Sequence, residues 1–230
     1  MNAHSSSSYY IGIDLAWSPD NPSGVAVINN KLELMSYCYC RDIGEIMEVV
    51  SQYPQSTVGI DAPLIIPNAT GHRPYEREFL KVFSRYSLGV HAVNTTLFEK
   101  RFKHYAGFVL YKKLKAAGFD FVHGNLFEVY PHATILACFN DNRVLRYKAS
   151  APKPERLKAL KQLQTSLFAT LTVPNKLKAP IENLKGKALK AEEDFLDALV
   201  CAYTLHHCTR HECLHFGEPE IGVLITPKPS

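Results

Sequence analysis

Two apolar runs in this chain carry the same three residues, Gly-Ile-Asp: YYIGIDLAW at 9–17 and TVGIDAPL at 57–64. A short apolar run bounded by turn formers reads as a strand buried on both faces. A carboxylate inside or at the end of such a strand is costly unless it is paired or bound to a cation. Asp14 and Asp61 are therefore the strongest constraint on the fold. In an open α/β sheet, ligands gather beyond the carboxyl ends of parallel strands. If the two runs are neighbouring parallel strands, Asp14 and Asp61 face each other there, and a divalent cation relieves their repulsion. Taken singly, each Asp also suits a turn or cap; Asp61 before Ala-Pro can form an Asx turn.

The elements around these runs follow from periodicity and punctuation. Met1–Ser8 is short, polar and Ser-rich, and is expected to be a disordered tail rather than a signal peptide. After the first strand come turn formers at 18–23, a strand at Gly24–Ile28, and a strand at Leu32–Cys40. The link between these two strands is too short for a crossover, so they are antiparallel. Residues 42–53 have helical spacing, and Thr57–Ile60 is the fourth strand. Helices are expected at Pro74–Tyr86, Glu99–Ala117, Pro154–Leu171 and Glu192–Cys208, with strands at Leu126–Tyr130 and Ile221–Ile225. The Lys-rich stretch from Pro174 to Lys190 reads as a mobile loop. The expected fold is one α/β domain over 9–227, a ribonuclease H-like mixed sheet of order β-β-β-α-β, with a helical insertion at about 70–120 after the fourth strand.

Further carboxylates can join the first two. Asp194 and Asp197 are three apart and share a helix face. Asp197 precedes Ala-Leu-Val-Cys-Ala-Tyr, so its helix is buried where it sits. Asp194 follows Glu192 and Glu193, where acidic residues also suit a helix N-terminus. Glu128 lies in the fifth strand beside His132, and reads either as a further ligand or as a solvent-facing residue. Arg73 and Arg77 open the insertion and can grip phosphate, or pair with neighbouring Glu. His206, His207, Cys208, His211, Cys213 and His215 crowd the end of the last helix. Their spacing fits no standard zinc pattern, and histidines there suit the helix dipole.

Composition narrows the function classes. The densest apolar stretch, Phe195–Leu205, contains Asp197 and falls short of the roughly 20 residues a membrane span needs. Six cysteines are scattered without a secretion signal, so free thiols and a reducing, cytoplasmic setting are expected. Net charge is only +4. Lys100–Lys190, however, holds 18 Lys/Arg against 5 Asp/Glu, a balance of +13, which leaves −9 elsewhere. Such asymmetry marks either a face that meets a polyanion or a set of solvated helix faces.

Taken together, IGIDLAW with GVAVI, VGIDAPL, GHRPYERE, EVYPHAT and EDFLDALVCAY resemble the domain-of-unknown-function family numbered four hundred and twenty-nine, whose members are predicted ribonuclease H-like nucleases. The resemblance implies an acidic set of Asp14, Asp61 and Asp197, joined by Glu128 and Asp194. The expected function is a phosphodiester hydrolase using two Mg²⁺ or Mn²⁺ ions, with Asp14 bridging them and nucleic acid as partner. Arg73, Arg77 and His132 are the candidate substrate contacts. Two alternatives stand beside it. An actin-like kinase or ATPase shares the Gly-Ile-Asp strand, but here Leu15-Ala16-Trp17 replaces the usual Gly- and Thr-rich turn. A non-catalytic nucleic-acid-binding or assembly protein would keep the fold and not need the aspartates.

Overall fold

The computed structural model describes residues 8–18, 20–178 and 180–230. Its centre is one seven-stranded mixed sheet. The strands are β1 (Tyr9–Asp14), β2 (Ser23–Asn29), β3 (Leu34–Cys40), β4 (Ser56–Ile60), β5 (Leu126–Val129), β6 (Cys213–Glu218) and β7 (Gly222–Pro227), in spatial order β3-β2-β1-β4-β5-β7-β6. β1 pairs antiparallel with β2 and parallel with β4, aligning Ile13 with Ile60. β4, β5 and β7 continue in parallel, and Ile60 is level with Glu128. Helices α1 (Ile43–Ser51) and α4 (Ala106–Ala116) pack with Ile11, Ile13 and Val58 on one side of the sheet. Helices α6 (Lys153–Thr170) and α7 (Gly186–Cys208) pack with Tyr10 and Ala26 on the other. Between β4 and β5 lie α2 (Pro74–Phe83), α3 (Thr95–Arg101) and α4, and α5 (Pro131–Phe139) follows β5 directly.

The Gly-Ile-Asp repeat has a packing reason. Successive strand residues point to opposite faces, so Gly12 and Asp14 share one face while Ile11 and Ile13 take the other. A Cβ on Gly12 would lie 2.0 Å from the Ala198 carbonyl and 2.3 Å from the Ala202 amide. Helix α7 thus lies directly on β1, and no side chain fits between them. Gly59 does the same for β4, where a Cβ would meet Leu205 at 3.0 Å. Each glycine admits α7, and the aspartate two residues on emerges beneath the same helix.

The described residues differ from the expected elements at five places. The expected helix at Glu99–Ala117 is two helices, because Lys103 takes a positive φ of 52° between α3 and α4. The stretch after Tyr130 is helix α5, with Pro131 at its start. The Lys-rich 174–190 segment forms 3₁₀ turns at Asn175–Leu177 and Ile181–Asn183, with Ile181 buried, and α7 already begins at Gly186. Helix α7 ends at Cys208 as expected, but no strand was expected at Cys213–Glu218, where β6 lies, so His211 is in a turn and His215 on that strand. Cys208 and Cys213 are joined by a disulfide across that turn, whereas Cys38, Cys40, Cys138 and Cys201 are free thiols as expected. The expected tail at Met1–Ser8 lies, except for Ser8, outside the described residues. No helix among them is long and apolar enough to cross a membrane.

Candidate active site

The site is assembled at the carboxyl ends of β1 and β4 beneath α7. Asp61 follows β4 directly, and its amide donates to the Ile13 carbonyl at 2.8 Å. That bond fixes it beside Asp14, the last residue of β1. Helix α7 lowers Asp197, which is fully buried, onto the same spot. The three carboxylates act on one another. Burial and then the charge of Asp197 push the Asp14 carboxyl well above the usual carboxylate range, with Asp61 and Asp194 adding to the push. Burial also raises Asp61, to about 7, against the pull of Lys148 and with a further push from Asp197.

The residue that joins them is one the periodic patterns did not single out. Lys148, in the loop between α5 and α6, pairs its ammonium with Asp197 and stands 3.4 Å from Glu193. Burial opposes the charge on Lys148, yet Asp197, Asp14, Glu193 and Asp61 together hold its pKa well above the ordinary lysine value. The other Asp197 oxygen accepts from the Tyr147 hydroxyl at 2.8 Å. Glu193 is buried and accepts from Arg156 at 2.7 Å and Lys190 at 3.2 Å. Asp194 is paired with Lys190. His132, at the start of α5, lies with its ring 4.8 Å from that of Tyr147. Burial and then Lys148 hold its imidazole down to about 4, so it is a neutral neighbour of the cluster.

Glu128 and the two arginines form a separate network. Glu128 accepts from the Leu64 amide at 2.8 Å, the Tyr75 hydroxyl at 2.7 Å and Arg73 at 3.0 Å. Arg73 is itself buried, and also donates to Glu76 at 2.7 Å and to the Ile65 carbonyl at 3.2 Å. This web fastens the segment after β4 to helix α2 and strand β5, and it uses the Arg73 donors inside the protein. Arg77 is exposed and reaches the His72 carbonyl at 3.3 Å. The structure therefore brings Asp14, Asp61, Asp194, Asp197 and His132 together and sets Glu128 and Arg73 one step behind them. Arg77 stands apart.

The donor chemistry and the geometry bear on a cation in different ways. Asp14 and Asp61 offer hard oxygen ligands, the type Mg²⁺ and Mn²⁺ favour, and no hydrogen-bond donor among the described residues reaches either carboxylate. Among the described residues, however, no three His, Cys, Asp or Glu side chains stand close enough together to share a metal ion. Asp197 is occupied by Tyr147 and Lys148. Around the pocket, five carboxylates (Asp14, Asp61, Glu193, Asp194, Asp197) face three cations (Lys148, Arg156, Lys190). The balance of two negative charges is that of Asp14 and Asp61. That balance matches the charge of one divalent ion, and burial pushes both carboxyls above the usual carboxylate range.

The basic residues of the middle region are divided. Helix α4 carries Lys112, Lys113 and Lys115 on one side of the sheet, while α6 carries Lys158 and Lys161 on the other. They do not form one continuous face.

A mixed α/β sheet with buried aspartates at the carboxyl ends of its parallel strands is an architecture built to place ligands at that edge. The chain belongs to the family described as Protein of unknown function (DUF429), whose model matches residues 12–221. No curated protein matches it, and no solved structure does.

Proposed function

We propose that this protein is a divalent-cation-dependent phosphodiester hydrolase of the ribonuclease H-like type, with nucleic acid as its expected substrate. The observation that carries the reading is the Asp14–Asp61 pair, side by side on parallel strands, donorless and raised in pKa, with Asp197 across from them. The strand order β3-β2-β1-β4-β5, with two antiparallel pairs and then parallel ones, supports the fold assignment. Asp14 and Asp61 would hold the ion, and the charge balance around the pocket favours one ion in this arrangement. A bound Mg²⁺ or Mn²⁺ supplies polarisation of a phosphoryl oxygen and a more acidic water. Lys148 is the chain's own cation at that point and suits a non-bridging phosphate oxygen. Tyr147 keeps Asp197 oriented, and the Glu128 web holds the backbone after Asp61 in place.

The pairing of Lys148 with Asp197 favours a second reading, in which the acidic pocket is closed internally and the protein binds nucleic acid or assembles without catalysis. One calorimetric titration with Mn²⁺ separates the two. The first reading expects binding accompanied by proton release, since the raised carboxyls must ionise, and its loss in Asp14→Asn while the fold persists. Undiminished Mn²⁺ binding by that variant would refute the ligand assignment. Binding without Mn²⁺-dependent cleavage of any DNA, RNA or small phosphodiester would favour the second reading.

A further inference from the structure

The C-terminal end of helix α7 borders a second depression in the surface. Beyond its last turn, the β2–β3 turn, the end of α6 and the Arg210–His211 segment border an open cavity of about 390 Å³, whose lining includes Lys31, Leu32, Tyr203, His207, Arg210 and His211. It lies ten residues along the helix from Asp197, about 15 Å away, so it is distinct from the acidic pocket.

The hydrogen-bond accounts at this cavity are one-sided. Three backbone acceptors that border it are already engaged. The His206 carbonyl accepts from the Thr209 amide at 3.3 Å, the Thr209 hydroxyl at 2.8 Å and Arg210 at 3.3 Å. The His207 carbonyl accepts from the amides of Arg210 and His211, each at 3.0 Å. The Asn30 carbonyl faces His206 Nε2 and Arg210 Nη2, each at 3.2 Å. The usual reason for bases at a helix C-terminus, complementing its open carbonyls, is thus met by Arg210 and Thr209. The donors left over are Lys31 Nζ, His207 Nε2 and the ring of His211. No acceptor among the described residues reaches them, and no carboxylate there lines the cavity.

We propose that this cavity binds a small phosphomonoester, with its phosphate held by Lys31, His207 and His211 and its organic part lying against Leu32 and Tyr203. Phosphate oxygens are the acceptors such a surplus of donors suits, and the charge of Lys31 strengthens its own bond to them. A cavity of this size lies in the range of small-molecule sites and exceeds what a bare phosphate fills. The rings of His207 and His211 stack with centroids 4.4 Å apart. Burial, with His211 and His206 alongside, holds the His207 imidazole down to about 4, and a bound anion relieves that penalty. The Cys208–Cys213 disulfide ties off the turn that presents Arg210 and His211, so the donors are preorganised.

The test uses the full chain in a chelator, so that the acidic pocket cannot contribute through a metal. Calorimetric titration with inorganic phosphate, a nucleoside 5′-monophosphate and the matching unphosphorylated nucleoside compares the three probes. Expected is binding of the monophosphate, weaker binding of inorganic phosphate and none of the nucleoside. Lys31→Ala and His211→Ala, both at exposed positions, should each weaken the monophosphate by roughly tenfold with circular dichroism unchanged. The proposal is overturned if the double variant binds the monophosphate as tightly as the parent, or if neither phosphate probe binds the parent at millimolar concentration. Inorganic phosphate binding as tightly as the monophosphate would overturn the role given to Leu32 and Tyr203.

Discussion

Asp61 and Glu128 stand one strand apart at the same sheet edge, yet their surroundings are opposite. Glu128 accepts from a backbone amide, a tyrosine and an arginine. Asp61 receives no donor among the described residues, and burial raises it to about 7. Sequence alone reads both as carboxylates in apolar strands. The difference teaches that burial alone does not set a carboxylate's state; the donors around it do. A satisfied carboxylate braces the scaffold, and an unsatisfied one is left for a cation or a proton.

The sharpest way to break this comparison is to remove the satisfied member. Glu128→Ala strands Arg73 beside Glu76 alone and leaves the Tyr75 hydroxyl and Leu64 amide without their acceptor. A loss of about 3–5 kcal/mol in urea unfolding is expected, the range for breaking a buried pair from one side. A loss below about 1 kcal/mol, typical of a neutral surface change, would show that the web does not brace the fold.

A smaller effect should follow from removing Lys148, which pairs with Asp197 and acts on the unsatisfied Asp14 and Asp61 through its charge. Lys148 is partly exposed, so Lys148→Met is expected to cost about 1–2 kcal/mol in chelator, discounted for solvent screening. Mn²⁺ should then raise the melting temperature of the variant more than that of the parent, since the metal takes over the neutralisation. An equal rise in both proteins would mean that Lys148 does not stand in for a cation.

A third way to sharpen the comparison is the pH dependence. An unfolded chain releases an aspartate proton near about 3.9, whereas folded Asp61 keeps its proton to about 7. Between those values the native state binds more protons, so Asp61 makes stability fall as pH rises through that window and contributes no slope above it. Asp61→Asn should flatten that part of the profile, measured as urea-unfolding free energy from pH 4 to 8. An unchanged slope would contradict the raised carboxyl.

Much of the sheet was legible because its strands are apolar runs with clear turn punctuation. The antiparallel β2–β3 pair and the parallel neighbour reached through α1 follow from link lengths alone, and the Gly-Ile-Asp echo pointed to Asp14 and Asp61. What stayed hidden lacked a period or a breaker. No Gly or Pro interrupts 102–105, so the turn at Lys103 left no mark. Strand β6 buries only Phe216, so its mixed pattern does not read as an apolar run. Lys148 and Tyr147 sit in a loop, where residue type says little about direction. Only the observation that Asp197 is buried and needs a cation could have prompted a search for a lysine, and several were available. Asp197 was readable because an acid amid Phe195–Leu205 is conspicuous; Glu193, inside an acidic run, was not.

The contact at Gly12 has one more consequence. Most sites are positioned by side-chain packing, which drifts as core residues exchange volume over generations. Here backbone meets backbone, and a Cβ added at Gly12 would fall 2.0 Å from Ala198 O, which leaves no room for a substitution. The spacing between the β1 edge and the α7 face is then set by peptide geometry, as a machine part is set by a hard stop rather than by a gasket. Hydrophobic residues elsewhere in the two cores are free to diverge without moving Asp14 relative to Asp197. A deep mutational scan read through this feature would find apolar exchanges tolerated at the surrounding Ile, Val and Leu positions and almost no substitution tolerated at a residue that has no side chain at all.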